Sequence, residues 1–364
     1  MKESALKPEI FLFFLSKIKG LGPRHILELI KTYGTLEKIR AAALTEESSS
    51  HRVLGLIRKN LEDLNFSQQI EKEFAKIKEP FLTILDADYP PLLQNTYDPP
   101  LWLYWRGQRK LLTSSYLLTM VGSRRLTGYH QNATRQIISG LAGSPLVIVS
   151  GLAYGMDALC HRYALENNLP TIAVLGSGLG DEDIYPAANR KLAHAILAEG
   201  GLLLSECPSG TPIMPWQFPL RNRILAGLSK ATVIISGARK SGALITAQVA
   251  LDEGREILAL PGNINVELNW APHSLIKNGA LLLDSAEDIL KIYRLKTQNS
   301  TQAKPILSDE VEEKIYSCLR QESLSAEQLA EKLNLPLQSI NSCLARLELK
   351  NLTKTNIYHQ IEII

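Results

Sequence analysis

Three loops in the middle of the chain combine small residues with side chains that can bind an anion. The first loop, Val121-Gly122-Ser123-Arg124-Arg125, supplies a hydroxyl and two guanidinium groups. The others are Ser150-Gly151-Leu152-Ala153-Tyr154-Gly155-Met156-Asp157 and Gly176-Ser177-Gly178-Leu179-Gly180. In such loops backbone N–H groups and helix N-termini can face a phosphate. One glycine-rich turn alone is equally explained as a tight connection, but three of them, with arginines on the first, favour an anion site.

A proline-rich segment from Cys207 to Arg223 is the most unusual part of the sequence, with four prolines, Trp216, Phe218 and two arginines. It predicts a rigid loop on which bases of an unpaired polynucleotide stack on a ring while arginines contact phosphates. The alternative is that the two rings cap the core. Because large aromatic side chains are usually buried, this alternative is favoured more for Trp216 than for Phe218.

Other site chemistries find little support in the sequence. The four cysteines form no CxxC pair and no zinc-binding spacing, which indicates a reducing compartment and predicts no metal. No GxGxxG fingerprint or Walker A motif is complete, so no nucleotide cofactor is expected. His161 is interpreted as a packing residue and Asp157 as a helix N-terminal residue. No apolar run approaches the roughly 18 residues of a membrane span, which predicts a cytoplasmic protein without membrane contact.

The elements that position these loops alternate between strand and helix. Short apolar runs with little alternation are typical of parallel strands buried on both faces. The predicted strands are Tyr116–Val121, Leu146–Ser150, Thr171–Leu175, Leu202–Ser205, Ala231–Ser236, Ile257–Leu260 and Ala280–Leu283. Helical patterns lie between them, and the pattern predicts an α/β fold with a doubly wound parallel sheet. In such a sheet, ligands bind beyond the carboxyl ends of the strands.

Three domains are predicted along the chain. Residues 1–75 show helical periodicity only, and Gly20-Leu21-Gly22 resembles the hairpin of a helix-hairpin-helix or SAM-like domain. Residues 76–294 contain the sheet, and the polar residues 295–305 are interpreted as a linker. Residues 305–364 predict a winged helix, with Ser325 as a helix N-cap and a wing that includes a strand at Ile357–Ile361.

Charge limits how these domains could contact nucleic acid. The formal net charge is only +3, so a nucleic-acid site depends on local arrangement rather than on bulk charge. Residues 1–75 hold 12 basic and 10 acidic side chains, and residues 305–364 hold 6 and 9. The acidic balance of the C-terminal segment argues against tight DNA binding there, and a protein contact is equally compatible with it.

Several motifs together closely resemble the DNA-processing protein A family, also called DprA or Smf. The motifs cover nearly all of residues 76–292, and the last two motifs named below are specific to the family. They are Val121-Gly122-Ser123-Arg124, Ser150-Gly151-Leu152-Ala153 with Gly155-Met156-Asp157, Ile184-Tyr185-Pro186 with Asn189, Phe218-Pro219 with Arg221-Asn222-Arg223, and Ser241-Gly242-Ala243-Leu244-Ile245-Thr246-Ala247.

The resemblance implies a Rossmann-like central domain, between an all-helical and a winged-helix domain, that binds single-stranded DNA without catalysing a reaction. Such proteins protect incoming DNA during natural transformation and help to load the RecA recombinase over single-strand-binding protein. The resemblance also implies a homodimer formed through the last helices and strands of the central domain, near Leu275 and Ile276.

The resemblance also assigns site residues. It implies that Arg124 belongs to the DNA pocket, that Phe218 stacks a base, and that Ser241 and Gly242 face phosphate. The full DNA-binding set predicted from the loops and the resemblance is Gly122, Ser123, Arg124, Arg125, Gly151, Phe218, Arg221, Asn222, Arg223, Lys240, Ser241 and Gly242.

The chain departs from the family pattern in two segments. The family often has a basic residue shortly before the stacking ring, but Pro215-Trp216-Gln217 supplies none, and Arg239 or Lys240 is the candidate replacement. Residues 271–280 also differ from the family's Gly-x-Asn-x-Leu-Ile-x-x-Gly-Ala, in the segment expected near the dimer contact. A Rossmann-like phosphoribohydrolase is the alternative function. That class uses Pro-Gly-Gly-x-Gly-Thr with a glutamate, whereas residues 237–242 lack the glutamate.

Overall fold

The computed structural model describes residues 7–45, 52–296, 310–319, 322–350, 352–356 and 360–363. The chain forms two compact units, Met1–Gln298 and Asn299–Ile364. Of the predicted linker, residues 297–305 lie outside the described residues.

The first unit contains a helical segment followed by an α/β sheet. Its helices are α1 (Pro8–Lys17), α2 (Pro23–Tyr33), α3 (Leu36–Leu44), α4 (Arg52–Glu62), α5 (Leu64–Phe74), α6 (Pro91–Gln94), α7 (Gly128–Gly140), α8 (Met156–Glu166), α9 (Arg190–Ala198), α10 (Gln217–Leu228), α11 (Gly242–Asp252), α12 (Trp270–Lys277) and α13 (Ala286–Ile292). Its strands are β1 (Phe81–Thr83), β2 (Trp102–Gly107), β3 (Leu117–Val121), β4 (Val147–Ser150), β5 (Thr171–Leu175), β6 (Leu202–Ser205), β7 (Ala231–Ile234), β8 (Glu256–Ala259) and β9 (Leu281–Leu282).

The strands form one sheet in the order β1-β2-β6-β5-β4-β3-β7-β8-β9. Strands β3 to β9 pair in parallel, which confirms the predicted doubly wound α/β fold. On the central strand, Thr119 is opposite Val149 of β4 and Thr232 of β7. Two antiparallel strands, β1 and β2, extend the sheet beyond β6 and were not predicted as strands.

Both faces of the sheet are buried, as the apolar strands predict. On β3, Leu117 and Val121 belong to the core beneath α10 and α11. The alternate residues, Leu118 and Met120, belong to the core beneath α7, α8 and α13. Each predicted strand begins and ends within two residues of the observed one, because apolar runs of this kind have few alternatives in an α/β chain.

The N-terminal helices pack against the antiparallel edge of the sheet. The ring of Trp102 on β2 lies 5.8 Å from that of Phe13 on α1 and 6.2 Å from that of Phe74 on α5. The Gly20-Leu21-Gly22 turn lies between α1 and α2, and the Arg24 guanidinium stacks 3.6 Å above the Tyr97 ring. The helical segment therefore shares one hydrophobic core with the sheet, and the domain boundary at residue 75 stays a prediction.

His161 on α8 is a fully buried packing residue, in agreement with the sequence interpretation. Its Nδ1 lies 2.7 Å from the Thr171 hydroxyl, which itself donates to the Ile148 carbonyl oxygen at 2.7 Å. The opposite ring nitrogen, Nε2, is also buried. Burial, followed by the charge of Arg221, lowers the pKa of His161 to about 3.

This histidine predicts an acid-dependent loss of stability. Because folding depresses the pKa of His161, the neutral imidazole contributes its full stabilisation of the fold above the unfolded pKa of 6.5. This contribution is lost as the pH falls toward about 3. Between pH 6.5 and 4.5 the free energy of unfolding should fall by roughly 2 kcal/mol more in the wild type than in His161→Phe. Urea midpoints measured across this range test it, and parallel curves for the two proteins would contradict it.

The second unit is a winged helix, as predicted. It contains α14 (Glu310–Leu319), α15 (Ala326–Leu333), α16 (Leu337–Leu349), β10 (Thr353–Thr355) and β11 (Ile361–Ile363). Ser325 caps α15 in a capping box with Gln328, which confirms the predicted N-cap. Of the predicted strand Ile357–Ile361, residues 357–359 lie outside the described residues. The observed strand β11 begins at Ile361.

The buried carboxylate of Glu312 joins two helices of this winged helix. It pairs with Arg346 at 2.8 Å and with Lys350 at 2.7 Å, so these cations at the end of α16 are held by an internal acid. Across both units, no helix in the described part of the chain has the length and apolar character needed to cross a membrane.

Candidate functional site

A cleft of about 370 Å³ opens beyond the carboxyl ends of β3 and β7. The chain runs from β3 outward to β6 on one side and then returns to β7 on the other, so this is the topological switch point of the sheet. The cleft brings together ten of the twelve predicted DNA-binding residues. They are Gly122, Ser123, Arg124, Arg125, Phe218, Arg221, Asn222, Lys240, Ser241 and Gly242.

The loop after β3 is held against the start of α8. The Ser123 carbonyl oxygen accepts a hydrogen bond from the Met156 N–H, and the Ser123 N–H donates to the Ser236 hydroxyl. Gly155 has φ +76°, and a Cβ there would lie 2.4 Å from the Arg124 carbonyl oxygen. Glycine is therefore required for this close approach, which leaves the Arg124 side chain exposed at the mouth of the cleft.

The proline-rich segment is only partly the rigid loop that the sequence predicts, because helix α10 begins at Gln217. Pro219 is compatible with the helix since it lies in the first turn, where N–H groups have no intrahelical acceptor. The i, i+3, i+4 and i+7 spacing of a helix places four side chains on the cleft. They are Phe218, Arg221, Asn222 and Leu225.

The two rings of this segment differ from expectation in their exposure. Trp216, for which burial was favoured, is 60% exposed because it precedes α10 at the end of the loop. Phe218 is half-buried and lines the cleft, and its ring centroid lies 5.3 Å from that of Tyr185. Its ring also packs on Gly176, where a Cβ would lie 2.9 Å from Phe218 Cδ1. The ring is thus fixed in orientation with part of its surface open.

Arg221 is buried in the floor of the cleft rather than extended into solvent. Its Nη1 donates to the carbonyl oxygens of Gly151, at 2.7 Å, and Val174. Burial lowers its pKa, while the nearby Asp157 carboxylate opposes that shift. An arginine with this surrounding stays charged. Arg221 therefore contributes a fixed positive charge to the cleft.

Among the described residues that line the cleft, one carries an acidic side chain, Asp157. Burial raises its pKa, and this shift is opposed by Arg221 and by hydrogen bonds from the N–H groups of Ala153 and Gly151. The carboxylate therefore holds the loop after β4, which is consistent with its position in the first turn of α8. The cations that line the same cleft are Arg124, Arg125, Arg221 and Lys240, so its charge is positive.

The N-terminus of α11 forms the opposite side of the cleft. Ser241 is the N-cap residue, and its hydroxyl has no hydrogen-bond partner among the described residues. Asn222 Nδ2 lies 3.5 Å from the Gly242 carbonyl oxygen and links α10 to α11. Lys240 lines the cleft, whereas the Arg239 guanidinium lies 5.3 Å from the Trp270 ring centroid. Arg239 and Lys240 were the two candidates to replace the family's basic residue before the stacking ring, and of these Lys240 is the one that lines the cleft.

Two predicted residues lie outside this cleft. Gly151 lines a small adjoining recess that also includes Tyr154 and Tyr185. Arg223 lines neither cavity. Its Nη2 donates to both Glu206 oxygens, at 2.6 and 2.7 Å, and its Nε pairs with Asp98 at 3.3 Å. This geometry makes Arg223 a structural link between α10 and the segment before β2, and its assignment as a DNA contact stays a prediction.

The residues predicted near a dimer contact, Leu275 and Ile276, lie on α12. Leu275 is buried in the core of the chain, and Ile276 is half-buried against that core. A larger apolar surface is exposed nearby on the edge strand β9, where Leu281 and Leu282 are 46% and 47% exposed. The dimer stays a prediction.

Asn189 is a site-forming residue whose role the sequence did not show. Its Nδ2 donates to the Leu152 carbonyl oxygen at 2.8 Å and to that of Ala153 at 3.2 Å. It thereby fixes the loop after β4 that borders the cleft. Its spacing from Tyr185-Pro186 within a family motif was the available signal. In the described part of the chain, no group of His, Cys, Asp and Glu side chains is arranged to hold a metal ion.

Comparisons with known proteins agree on one family. The family model described as DNA recombination-mediator protein A matches residues 80–294, and that of the DprA winged helix domain matches residues 298–354. Protein Smf of Escherichia coli is 40% identical over 227 residues, which cover 62% of this chain and 60% of that protein.

Solved structures of DNA processing protein A from two bacteria are similar to this chain. DNA processing protein A from Streptococcus pneumoniae superposes with a TM-score of 0.67 at 33% identity, over 79% of this chain and 98% of that one. The structure describing the single-stranded DNA binding mode of DNA processing protein A from Helicobacter pylori has a TM-score of 0.52 at 29% identity. The match covers 60% of this chain and 98% of that one.

Proposed function

Because this chain belongs to the DNA recombination-mediator protein A family, we propose that its cleft binds single-stranded DNA. The observation that carries the proposal is the juxtaposition of a fixed, half-open Phe218 ring with Arg124, Arg221 and Lys240 in one cleft. A ring supplies a stacking platform for any base, and the cations attract the backbone. The Helicobacter pylori relative, whose structure concerns single-stranded DNA binding, supports the same assignment.

The position of the ring favours an unpaired strand over a duplex. Phe218 lies between Gly176, Tyr185 and the loop after β3, so a base must leave its neighbours to reach it. Bases of a duplex are stacked within the helix, and extruding one costs a few kcal/mol. A single strand avoids that cost.

A phosphate position is expected at the start of α11. The N-terminus of a helix carries a partial positive charge and free N–H groups, which favour an anion. Lys240 lines the cleft there and adds a full charge. The Ser241 hydroxyl is buried beside Gly237 without a partner in the described ranges, so it would have to rotate outward to donate to the phosphate. The strand would then pass from this phosphate position to the Phe218 ring across the cleft.

We extend the proposal to the cellular role that membership of this family suggests. The bound strand is incoming DNA during natural transformation, in the cytoplasm, and a homodimer passes it to the RecA recombinase over single-strand-binding protein. The relative named DNA processing protein DprA from Streptococcus pneumoniae is 40% identical over 221 residues and supports the DNA-processing part of this role. The exposed leucines of β9 supply an apolar surface for the dimer.

Binding to an oligothymidine tests the proposal directly. Fluorescence anisotropy should show that the full chain binds a labelled thymidine 20-mer more tightly than a duplex of equal length, with affinity falling as salt is raised. Light scattering with and without the oligonucleotide reports the dimer. Equal affinity for duplex and single strand would contradict the proposal.

The alternative is a nucleotide phosphoribohydrolase, and the same preparation tests it. The carboxylate on the cleft, Asp157, accepts hydrogen bonds from the loop N–H groups of Gly151 and Ala153, so it is engaged in positioning the backbone. This favours a binding function. Release of free base from AMP by the purified chain would establish the hydrolase instead.

A further inference from the structure

A recess with two exposed tyrosines adjoins the cleft. Tyr154, on the loop after β4, and Tyr185, on the segment before α9, form its outer walls and are 48% and 44% exposed. Arg124, Phe218 and Arg221 line both the recess and the cleft. The two cavities therefore adjoin, and Phe218 and Arg124 border both of them.

The recess itself has a volume of about 20 Å³, enough for about one water molecule, so a base can lie only against the exposed faces of the rings at its mouth. The Tyr185 ring centroid lies 5.3 Å from that of Phe218 at an interplanar angle of 46°, so the two rings diverge and present separate faces. Tyr154 lies on a loop whose carbonyl oxygens at Leu152 and Ala153 are held by Asn189. Aromatic rings on a fixed backbone bind bases with little loss of their own conformational freedom.

The charge of the recess indicates which aromatic ligand it accepts. Arg124 and Arg221 line it, and no carboxylate does so among the residues that the structure describes. Arg221 already has the Asp157 carboxylate nearby, but a neutral apolar side chain of a protein partner would offer no anion to the exposed Arg124 guanidinium. A nucleotide of the strand supplies both a ring for the tyrosines and a phosphate for Arg124.

We propose that the mouth of this recess is a second nucleotide subsite, where the exposed faces of Tyr154 and Tyr185 stack the base that follows the one on Phe218. The Arg124 guanidinium, shared by both cavities, contacts the phosphate that links the two nucleotides. This inference rests on the proposed binding of single-stranded DNA. It adds that the strand continues past Phe218 toward the loop after β4, rather than ending in the cleft.

Alanine variants of the two tyrosines test the subsite. Tyr154→Ala combined with Tyr185→Ala should weaken binding of a thymidine 20-mer about ten-fold, because stacking on a ring is lost. Tyr154→Phe combined with Tyr185→Phe keeps both rings and should bind within two-fold of the wild type. Tyr129→Ala is the matched control, since Tyr129 is also 48% exposed but lines neither cavity.

A strand without bases separates stacking from other effects. On an abasic 20-mer the alanine pair and the wild type should bind equally, because no base is present to stack. A ten-fold loss on both strands would overturn the subsite, as would unchanged affinity on the thymidine strand. Thermal melting of each variant identifies any that fails to fold. If the alanine pair does not fold, crosslinking of the phenylalanine pair decides the outcome instead.

Photocrosslinking gives an independent readout on the folded protein. A 20-mer containing 5-iododeoxyuridine should crosslink to Tyr154 or Tyr185 in the wild type, or to the phenylalanine in the Phe pair, as mapped by mass spectrometry. Crosslinks confined to Phe218 would overturn the second subsite and leave the proposed function intact. If the wild type binds no oligothymidine at all, the proposed function itself fails.

Discussion

Replacing Arg124 with alanine is expected to weaken oligothymidine binding by about 1–3 kcal/mol, roughly 5- to 150-fold, and to flatten its salt dependence. Arg124 is exposed at the mouth of the cleft, and its removal takes away the proposed phosphate contact. Phe218→Ala should weaken binding by a similar amount, since stacking contributes about 1–3 kcal/mol per base, but with the salt slope unchanged. Anisotropy titrations at four salt concentrations measure both effects.

A surface arginine outside the cleft provides the control for charge. Arg135 on α7 is exposed and pairs with Glu166 at 3.1 Å, so Arg135→Ala makes the same change in net charge. It should leave affinity within about two-fold, since a distant exposed charge is screened by salt. If Arg135→Ala and Arg124→Ala weaken binding equally, the effect is one of bulk charge, and the assignment of the cleft is wrong.

Arg223→Ala is expected to lower the free energy of unfolding by roughly 2–3 kcal/mol. The substitution leaves the Glu206 carboxylate without the two hydrogen bonds that it accepts from Arg223, and that carboxylate is largely shielded from water. Removing one partner of a buried pair costs about 3–5 kcal/mol, and the partial exposure of this pair reduces the figure. Urea unfolding followed by circular dichroism measures the change.

A double variant separates this structural role from a role in DNA binding. Arg223→Met combined with Glu206→Leu removes both charges and should recover most of the lost stability. At a temperature where Arg223→Ala is folded, its affinity for oligothymidine should be close to that of the wild type. If Arg223→Ala kept the wild-type stability but lost affinity for oligothymidine, Arg223 would be a DNA contact rather than a structural link.

The sheet could be predicted because its strands are apolar on both faces, as Thr171–Leu175 illustrates. The edge strands β1 and β2 could not, because Pro99 and Pro100 before β2 read as an irregular segment. Strand β2 pairs with β6, which is about a hundred residues later in the sequence, and β1 joins the sheet through β2. Such long-range pairing leaves no local periodicity.

The site could be predicted as a set of loops but not in its side-chain directions. Pro212, Pro215 and Pro219 concealed the start of α10, and without that helix Arg221 and Arg223 appeared equivalent. On a helix, residues two apart point to different faces, so only Arg221 reaches the cleft. Its burial against carbonyl oxygens of other strands was beyond any reading of the local sequence.

The two carbonyl oxygens that hold the Arg221 guanidinium have a consequence for the temperature dependence of binding. An arginine on a free surface loses about 2 kcal/mol of rotamer entropy when a ligand immobilises it. Arg221 is immobilised when the chain folds, before any strand arrives. This preorganisation means that its attraction for the backbone carries almost no entropic penalty at the moment of association. Warming should therefore weaken its contribution less than that of the solvent-exposed Arg124.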